Sequence, residues 1–228
     1  PAIILQRDES YIGVMVDDLV TKGIQEPYRL RTGKVEYRLL IRHSNADIRL
    51  IEYGYQAGTI SQSRYQMIQK KKNIITQELK RLEKTSIFPR VDLNRLLEKK
   101  HTSPLSEPAR ISSVLTRPQM SYYDLSPFDP DRPFLSPDII EEVEIQTKYR
   151  GYIERQIRSV EEFRQMESRP IPLDFPFDRL KILSREAQEQ LQALRPTTLG
   201  QASRIRGVTP SDLAALLILL EKFRKERQ

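Results

Sequence analysis

Apolar side chains recur at helical spacing along most of this chain, which predicts a mainly α fold. Residues three and four positions apart share one face of a helix, so such a stripe indicates a helix with one apolar side. The clearest stripes are Ile12–Val20, Ile48–Tyr55, Ile68–Leu82, Tyr149–Phe163 and Leu213–Leu220. Shorter helices are predicted over Val91–Lys99, Ser184–Leu194 and Leu199–Arg206.

Residues that favour helix ends give these helices their predicted bounds. Ser, Thr or Asp can accept a hydrogen bond from a free N–H at a helix start, Pro suits the first helical position, and Gly suits the residue after the end. Asp8 and Gly23 bound the first predicted helix, and Gly58 ends the second. The other predicted starts are Ser61 or Ser63, Ser136 before Pro137, Ser184, and Thr209 before Pro210, and the other predicted ends are just before Pro170 and at Gly207.

Two stretches are less regular. Seven prolines between Thr102 and Pro137 predict short helices joined by irregular turns, because proline removes a hydrogen-bond donor. Val35–Ile41 fits either a strand or a helix, and we favour a helix. Either form would place Lys34, Arg38 and Arg42 on one side.

The pattern divides the chain into three parts. Residues 1–58 form an N-terminal piece, residues 59–135 a connecting helical region, and residues 136–228 a C-terminal helical bundle. The sequence starts at Pro1 and not at Met, which leads us to expect that further sequence precedes it.

Composition excludes several kinds of site. The 228 residues include no cysteine and two histidines, which excludes thiolate chemistry and disfavours a histidine metal site. The eight glycines show neither spacing of a phosphate-binding loop. No apolar run is long enough to cross a membrane. The net charge of +7 favours an anionic partner such as nucleic acid.

The basic segment, which we define as residues 27–42, is the strongest candidate for such a partner. Its arginines and lysine could neutralise phosphates, and its two tyrosines could stack on unpaired bases. The candidate RNA contacts are Tyr28, Arg29, Lys34, Tyr37, Arg38 and Arg42, with Arg31 beside them. The alternative is that these cations pair with Asp17, Asp18, Glu26 and Glu36.

Two other groups have simpler interpretations. Asp8, Glu9, Asp17 and Asp18 suit structural ion pairs better than a metal site, and neighbouring carboxylates on a helix should not both face one point. Residues 198–210 resemble a helix-turn-helix, although we favour ordinary packing of two helices as the explanation of the pattern.

Several segments resemble the C-terminal part of the MnmG family, also called GidA. They are Arg7–Gly23, Glu26–Arg29, Val35–Leu40, Asn45–Leu50, Leu199–Ile205 and Gly207–Pro210. The resemblance is specific at both ends of the chain and loose between Ser86 and Asp138.

This resemblance implies a part of a tRNA-modifying flavoenzyme. Such enzymes act with the GTPase MnmE to attach an aminomethyl or carboxymethylaminomethyl group at C5 of the wobble uridine. They use FAD, a reduced nicotinamide (NADH) and a folate carbon donor, and the flavin loop lies N-terminal to the part that matches here. The resemblance therefore implies helical segments that pack on an absent FAD-binding domain, no cofactor within this chain, a cytoplasmic location and a homodimeric enzyme.

The resemblance also implies roles for individual residues. Arg29 and Arg38 lie at positions implicated in tRNA binding or activity, and Glu186 lies at a position implicated in function. The last helices are expected to contact MnmE, which makes Glu186, Gly200, Gln201, Ser203 and Arg204 candidate partner contacts. Residues 31–35 depart from the family pattern: an arginine becomes Lys34, which keeps the charge but loses the bidentate fork.

Two other functions fit the same composition. The chain could be a free-standing helical RNA-binding module, or an adaptor that binds proteins and whose charge serves solubility. Binding of tRNA, and its dependence on salt, separates these alternatives.

Overall fold

The computed structural model describes residues 3–21, 27–167, 169–177, 180 and 182–225, and it is mainly α-helical. The helices are α1 (Tyr11–Thr21), α2 (Ala46–Gln56), α3 (Gln62–Lys84), α4 (Val91–Lys99), α5 (Ile111–Leu115), α6 (Pro137–Lys148), α7 (Arg150–Glu167), α8 (Arg185–Leu194), α9 (Leu199–Arg204) and α10 (Pro210–Lys225). Short 3-10 helices cover Thr32–Lys34 and Ser126–Phe128. The strands β1 (Ser86–Ile87) and β2 (Ala109–Arg110) pair antiparallel, a pairing that the sequence pattern did not predict.

The chain forms two compact units. Unit 1 is Arg38–Arg155 with residues 3–4, and unit 2 combines Leu5–Tyr37 with Gln156–Gln228. The predicted division at residues 58 and 135 stays a prediction.

Unit 1 is built around the long helix α3. This helix packs against α2, α5 and α6, and its buried residues Ile75 and Leu82 join a core that includes Leu97 and Val143. Ser61 starts α3 as predicted, since its Oγ accepts a hydrogen bond from the backbone N–H of Arg64 at 3.3 Å.

A buried polar cluster lies inside the same unit. Arg81 contacts Glu78 at 2.8 Å and Asp129 at 2.6 Å, and the hydroxyl of Tyr122 donates to Glu78 at 2.7 Å. Glu78 and Asp129 are buried, and burying a carboxylate without a partner is costly. The positive charge of the Arg81 guanidinium offsets this cost.

Unit 2 has its own core, formed by α8, α9, α10 and the segment that precedes α8. Phe175 and Phe177 pack edge to face with ring centroids 5.2 Å apart, among Leu191, Leu216 and Leu220. Helix α9 packs against α10.

The start of α10 follows the prediction closely. Thr209 accepts a hydrogen bond from the backbone N–H of Asp212 at 3.2 Å, and the backbone N–H of Thr209 donates to Asp212 at 2.9 Å. This reciprocal pair is a capping box, which satisfies donors that a helix start leaves free. The turn before it contains Gly207 at φ +87°.

Three predictions about individual elements were wrong. Val35–Ile41 is neither helix nor strand but a run of turns, so Lys34, Arg38 and Arg42 share no regular face. The helix predicted from Ser136 to Pro170 is interrupted at Tyr149, which gives α6 and α7. Ser10 starts α1 in place of Asp8, because its Oγ accepts from the N–H of Gly13. The predicted stop at Gly23 lies outside the described residues.

Candidate nucleic-acid interface

The basic segment runs through irregular backbone, and most of its cations are exposed. Arg29, Arg31 and Arg38 are exposed, and within the described part of the chain none of them forms an ion pair. The alternative, that these arginines pair with Asp17, Asp18 or Glu36, is therefore wrong within that part, and Glu26 lies outside it.

Lys34 lies against Tyr28. Its ammonium is 4.5 Å from the centroid of the Tyr28 ring, a distance typical of a cation–π contact. Lys34 itself is exposed, while Tyr28 is half-buried. The lysine therefore covers one face of the ring and keeps its charge at the surface.

Hydrogen bonding fixes the position of Tyr28. Its hydroxyl donates to Asp18 at 2.8 Å. Desolvation, and then this hydrogen bond to a carboxylate, raise the pKa of Tyr28 to about 12. The phenol is thus protonated, and able to donate, throughout the physiological pH range.

Tyr37 is also half-buried, in the same unit. Desolvation raises its pKa above the usual value, and the charges of Glu36 and Asp8 act in the same direction. Neither tyrosine of the basic segment is fully exposed, so each offers only part of its ring surface to a base.

Arg42 differs from the other cations of the segment. It lies in unit 1 with its side chain 13% exposed, and it contacts both carboxylate oxygens of the buried Glu142 at 2.6 and 2.8 Å. Both hydrogen bonds come from one guanidinium nitrogen, Nη2, and such charge-assisted hydrogen bonds stabilise the buried carboxylate. A role for Arg42 in RNA binding stays a prediction, and the structure gives this residue a packing role.

Arg7 is the centre of an ion-pair cluster that sequence reasoning missed. Its guanidinium contacts Asp17 at 2.9 Å, Asp18 at 2.7 Å and Glu36 at 2.6 Å. The ion-pair interpretation of Asp17 and Asp18 is confirmed. The expectation that they could not face one point was wrong, because one guanidinium nitrogen of Arg7 contacts both carboxylates.

A cleft of about 550 Å³ lies beside this cluster in unit 2. Apolar side chains and charges of both signs line it. The lining residues are Arg7, Asp17, Glu36, Phe163 and the run from Ser203 to Val208. Its volume falls within the usual range for sites that bind small molecules.

The candidate partner contacts differ in exposure. Gly200 is buried against the core, and Ser203 is half-buried with its Oγ donating to the carbonyl of Gly200 at 2.7 Å. Gln201 is exposed and accepts a hydrogen bond from the N–H of Thr197. Arg204 lies 3.4 Å from Asp17.

Glu186 is exposed near the start of α8 and packs against Gly207. A Cβ atom added at Gly207 would lie 2.6 Å from Cγ of Glu186. Glu186 therefore contacts the turn that carries Arg204 and Arg206 to the cleft. Unit 2 brings together Tyr28, Arg29, Lys34 and Tyr37 with all five candidate partner contacts.

Two other kinds of site are absent from the described residues. They contain no group of three His, Asp or Glu side chains that could hold a metal ion. No described helix is both long and apolar enough to span a membrane.

Two sequence models of protein families match this chain. The first, the tRNA modifying enzyme MnmG/GidA C-terminal helical domain, matches residues 62–157. The second, the MnmG/GidA C-terminal helical bundle, matches residues 159–228. The junction between the two matches lies close to the boundary of the units at Arg155 and Gln156.

Curated relatives carry the same name. The tRNA uridine 5-carboxymethylaminomethyl modification enzyme MnmG of Caldicellulosiruptor saccharolyticus is 47% identical over 98% of this chain, which covers 36% of that protein. The enzyme of the same name from Geobacillus thermodenitrificans is 44% identical over 99% of the chain. The chain thus spans about a third of the length of these relatives.

Solved structures show the same likeness. GidA of Aquifex aeolicus, in its form II crystal, superposes with a TM-score of 0.71 at 37% identity. The match covers 96% of this chain and 34% of the Aquifex chain. The form I crystal gives a TM-score of 0.69.

Proposed function

Because the chain belongs to the MnmG/GidA family, as its C-terminal helical part, we propose that it supplies tRNA contacts to an enzyme that modifies the wobble uridine. The whole enzyme would add an aminomethyl or carboxymethylaminomethyl group at C5 of that uridine. The chain spans only part of its relatives, so it would contribute binding to this reaction and not the chemical step.

The exposed arginines of the basic segment carry this proposal. Arg29, Arg31 and Arg38 are at the surface, and no described carboxylate pairs with them. Exposed cations without partners can neutralise phosphates at little desolvation cost, and each such contact releases counterions from the nucleic acid. Tyr28 and Tyr37 lie in the same segment and could contact unpaired bases.

The exposed apolar residues of α1 support the proposal that a further domain contacts this chain. Ile12, Val16, Leu19 and Val20 are between 48% and 75% exposed, whereas Asp18 of the same helix is buried. An apolar face of this kind usually marks a covered surface. We propose that the part of the enzyme outside this chain, which includes the FAD-binding domain, packs on this face.

The cofactors would bind in that further domain. A dinucleotide needs a glycine-rich turn between a strand and a helix. The described residues provide two strands of two residues each and no such unit, so they do not fit FAD or NADH. We therefore place both cofactors outside this chain.

The last helices are the proposed docking surface for the GTPase MnmE. Ile218 supports this choice, since it is 67% exposed on α10 although it lies among core leucines in sequence. We further propose that the whole enzyme is a cytoplasmic homodimer, as the family resemblance implies.

Titration with tRNA at a series of salt concentrations tests the central proposal. The chain should bind tRNA more weakly as salt rises. The double variant Arg29→Ala/Arg38→Ala should bind more weakly and lower the slope of log K against log salt by about 0.7–0.9 for each phosphate that is no longer neutralised.

A matched control removes the same charge elsewhere. Arg95 and Lys99 are exposed on α4, and Arg95→Ala/Lys99→Ala should leave the slope unchanged. If wild-type chain shows no binding at low salt, or both double variants change the slope equally, the proposed tRNA surface is wrong.

The proposed association with MnmE is best tested by a surface substitution and not by a deletion. Removing α10 would remove Leu216 and Leu220 from the core of unit 2. Ile218→Glu should weaken association with MnmE and leave tRNA binding unchanged. Equal affinity of variant and wild type for MnmE would contradict docking through this face of α10.

A further inference from the structure

Arg7 ties down both ends of a cationic stretch, which we call the basic arch and define as residues 28–36. At one end, Arg7 contacts Asp18 at 2.7 Å, and Asp18 accepts the hydroxyl hydrogen bond of Tyr28 at 2.8 Å. At the other end, Arg7 contacts Glu36 directly at 2.6 Å. The exposed Arg29, Arg31 and Lys34 lie between these two tethers.

The position of Arg7 suits holding the arch and not contacting RNA. Its side chain is 12% exposed, and its guanidinium is shared among the carboxylates of Asp17, Asp18 and Glu36. Burial acts to lower the pKa of Arg7, but the hydrogen bonds that its guanidinium donates to Glu36 and Asp18 raise the pKa above its usual value. The guanidinium is therefore a permanent charge that three acids already neutralise.

We propose that Arg7 is a positioning residue for tRNA binding, which holds the basic arch in its binding conformation before tRNA arrives. This proposal rests on the proposed function of the arch. The arch contains one short 3-10 helix, Thr32–Lys34, and otherwise irregular backbone, so little regular hydrogen bonding orders it. Besides the buried Val35 and the Lys34–Tyr28 contact, the two tethers hold the arch at its ends, and both meet at Arg7.

The expected effect follows from the entropy of ordering. Ordering the released arch when tRNA binds costs conformational entropy. An ordering cost of about 1–2 kcal/mol corresponds to tRNA binding that is about 5- to 30-fold weaker. The number of cations that reach phosphates stays the same, because Arg29, Arg31 and Lys34 are still present. Affinity should fall while the salt dependence remains.

The test compares variants of the full-length enzyme by tRNA titration over a range of salt concentrations. Arg7→Gln should weaken binding about 5- to 30-fold with an unchanged salt slope. Arg29→Ala should lower the slope, since it removes a phosphate contact. Arg7→Lys should not restore affinity, because an ammonium lacks the planar fork that reaches several carboxylates.

Two further variants distinguish the loss of a tether from a general loss of folding. Tyr28→Phe removes only the hydroxyl tether to Asp18 and keeps the ring, and it should also weaken binding without changing the slope. Arg164→Gln removes an exposed arginine that pairs with Asp8 in the same unit, and it should leave tRNA affinity unchanged.

Hydrogen–deuterium exchange of the free enzyme provides a measurement that needs no tRNA. Arg7→Gln and Tyr28→Phe should speed exchange in peptides that cover residues 27–37 and leave exchange in α10 unchanged. Faster exchange without any tRNA binding by wild type would refute the proposed function but not the tether. Unchanged exchange in the arch, or a salt slope lowered by Arg7→Gln as much as by Arg29→Ala, would overturn the positioning role.

Discussion

Replacing Asp212 with asparagine should destabilise unit 2 in a way that depends on pH. The Asp212 carboxylate is buried and accepts hydrogen bonds from the backbone N–H and hydroxyl groups of both Thr209 and Ser184, at 2.6 to 3.2 Å. It joins the start of α10 to the start of α8. An asparagine amide offers one acceptor oxygen, and its NH2 group would face donors.

The lowered pKa of Asp212 gives the size of the expected loss in the free energy of unfolding. Desolvation acts to raise this pKa, but the hydrogen bonds from Thr209 and Ser184 lower it from 3.8 to about 2. A pKa that is lower by one corresponds to about 1.4 kcal/mol, so the ionised carboxylate contributes about 2 kcal/mol. Since the folded pKa is below the unfolded one, this stability is present above about pH 4 and is lost as pH falls towards 2.

Urea unfolding measures this difference. At pH 7 we expect Asp212→Asn to be about 2 kcal/mol less stable than wild type, with the gap closing between pH 4 and pH 2. Because the chain has two units, hydrogen exchange in α8 and α10 should locate the effect. Asp131→Asn, at an exposed loop position, is the matched control and should change little.

Two outcomes would refute this reasoning. The first is a difference between Asp212→Asn and wild type below about 0.5 kcal/mol at pH 7, the range of ordinary surface substitutions. The second is a difference that persists unchanged at pH 2. A 13C titration of the carboxyl carbon would show directly whether the pKa of Asp212 lies below the usual range.

Other substitutions test single contacts by the same unfolding assay. Gly207→Ala should cost at least about 1–2 kcal/mol, because φ is +87° and the new Cβ would lie 2.6 Å from Cγ of Glu186. Gly151→Ala, in a helix with nothing within 4 Å, should instead stabilise by up to about 1 kcal/mol. Arg42→Ala should cost about 3–5 kcal/mol by leaving the Glu142 carboxylate buried without a cation, and Arg42→Met/Glu142→Leu should recover most of it. Equal stability of Gly207→Ala and wild type, or no recovery in the double variant, would contradict these assignments.

The sequence predicted the helices whose signals are local. Apolar periodicity and a capping residue identified α3, and the Thr209–Asp212 pair identified the start of α10, because both signals come from residues of the helix itself and its cap. Val35–Ile41 lacked such a signal. Its apolar pattern fitted two periodicities, and the structure has neither, although Val35 and Ile41 are both buried.

The candidate site was less predictable for the same reason. The exposed arginines of the basic segment could be found from charge and composition. Arg7 could not, because its partner Glu36 is 29 residues away in sequence. The only available signal for this cluster was the pair of neighbouring aspartates in α1. The rule that neighbouring side chains on a helix face different directions led us to expect no common partner for them.

Unit 2 is a discontinuous domain, because the Arg38–Arg155 part of unit 1 lies between its two stretches of sequence. The contacts Arg204–Asp17 and Arg164–Asp8 join the stretch that precedes Arg38 to the stretch that follows Arg155. During translation, more than a hundred further residues must therefore be synthesised after residues 5–37 before the partners of that stretch leave the ribosome. A fragment that begins at residue 159 would lack Asp8 and Asp17. We therefore expect this fragment to be more stable when a peptide of residues 5–37 is added to it than when it is alone.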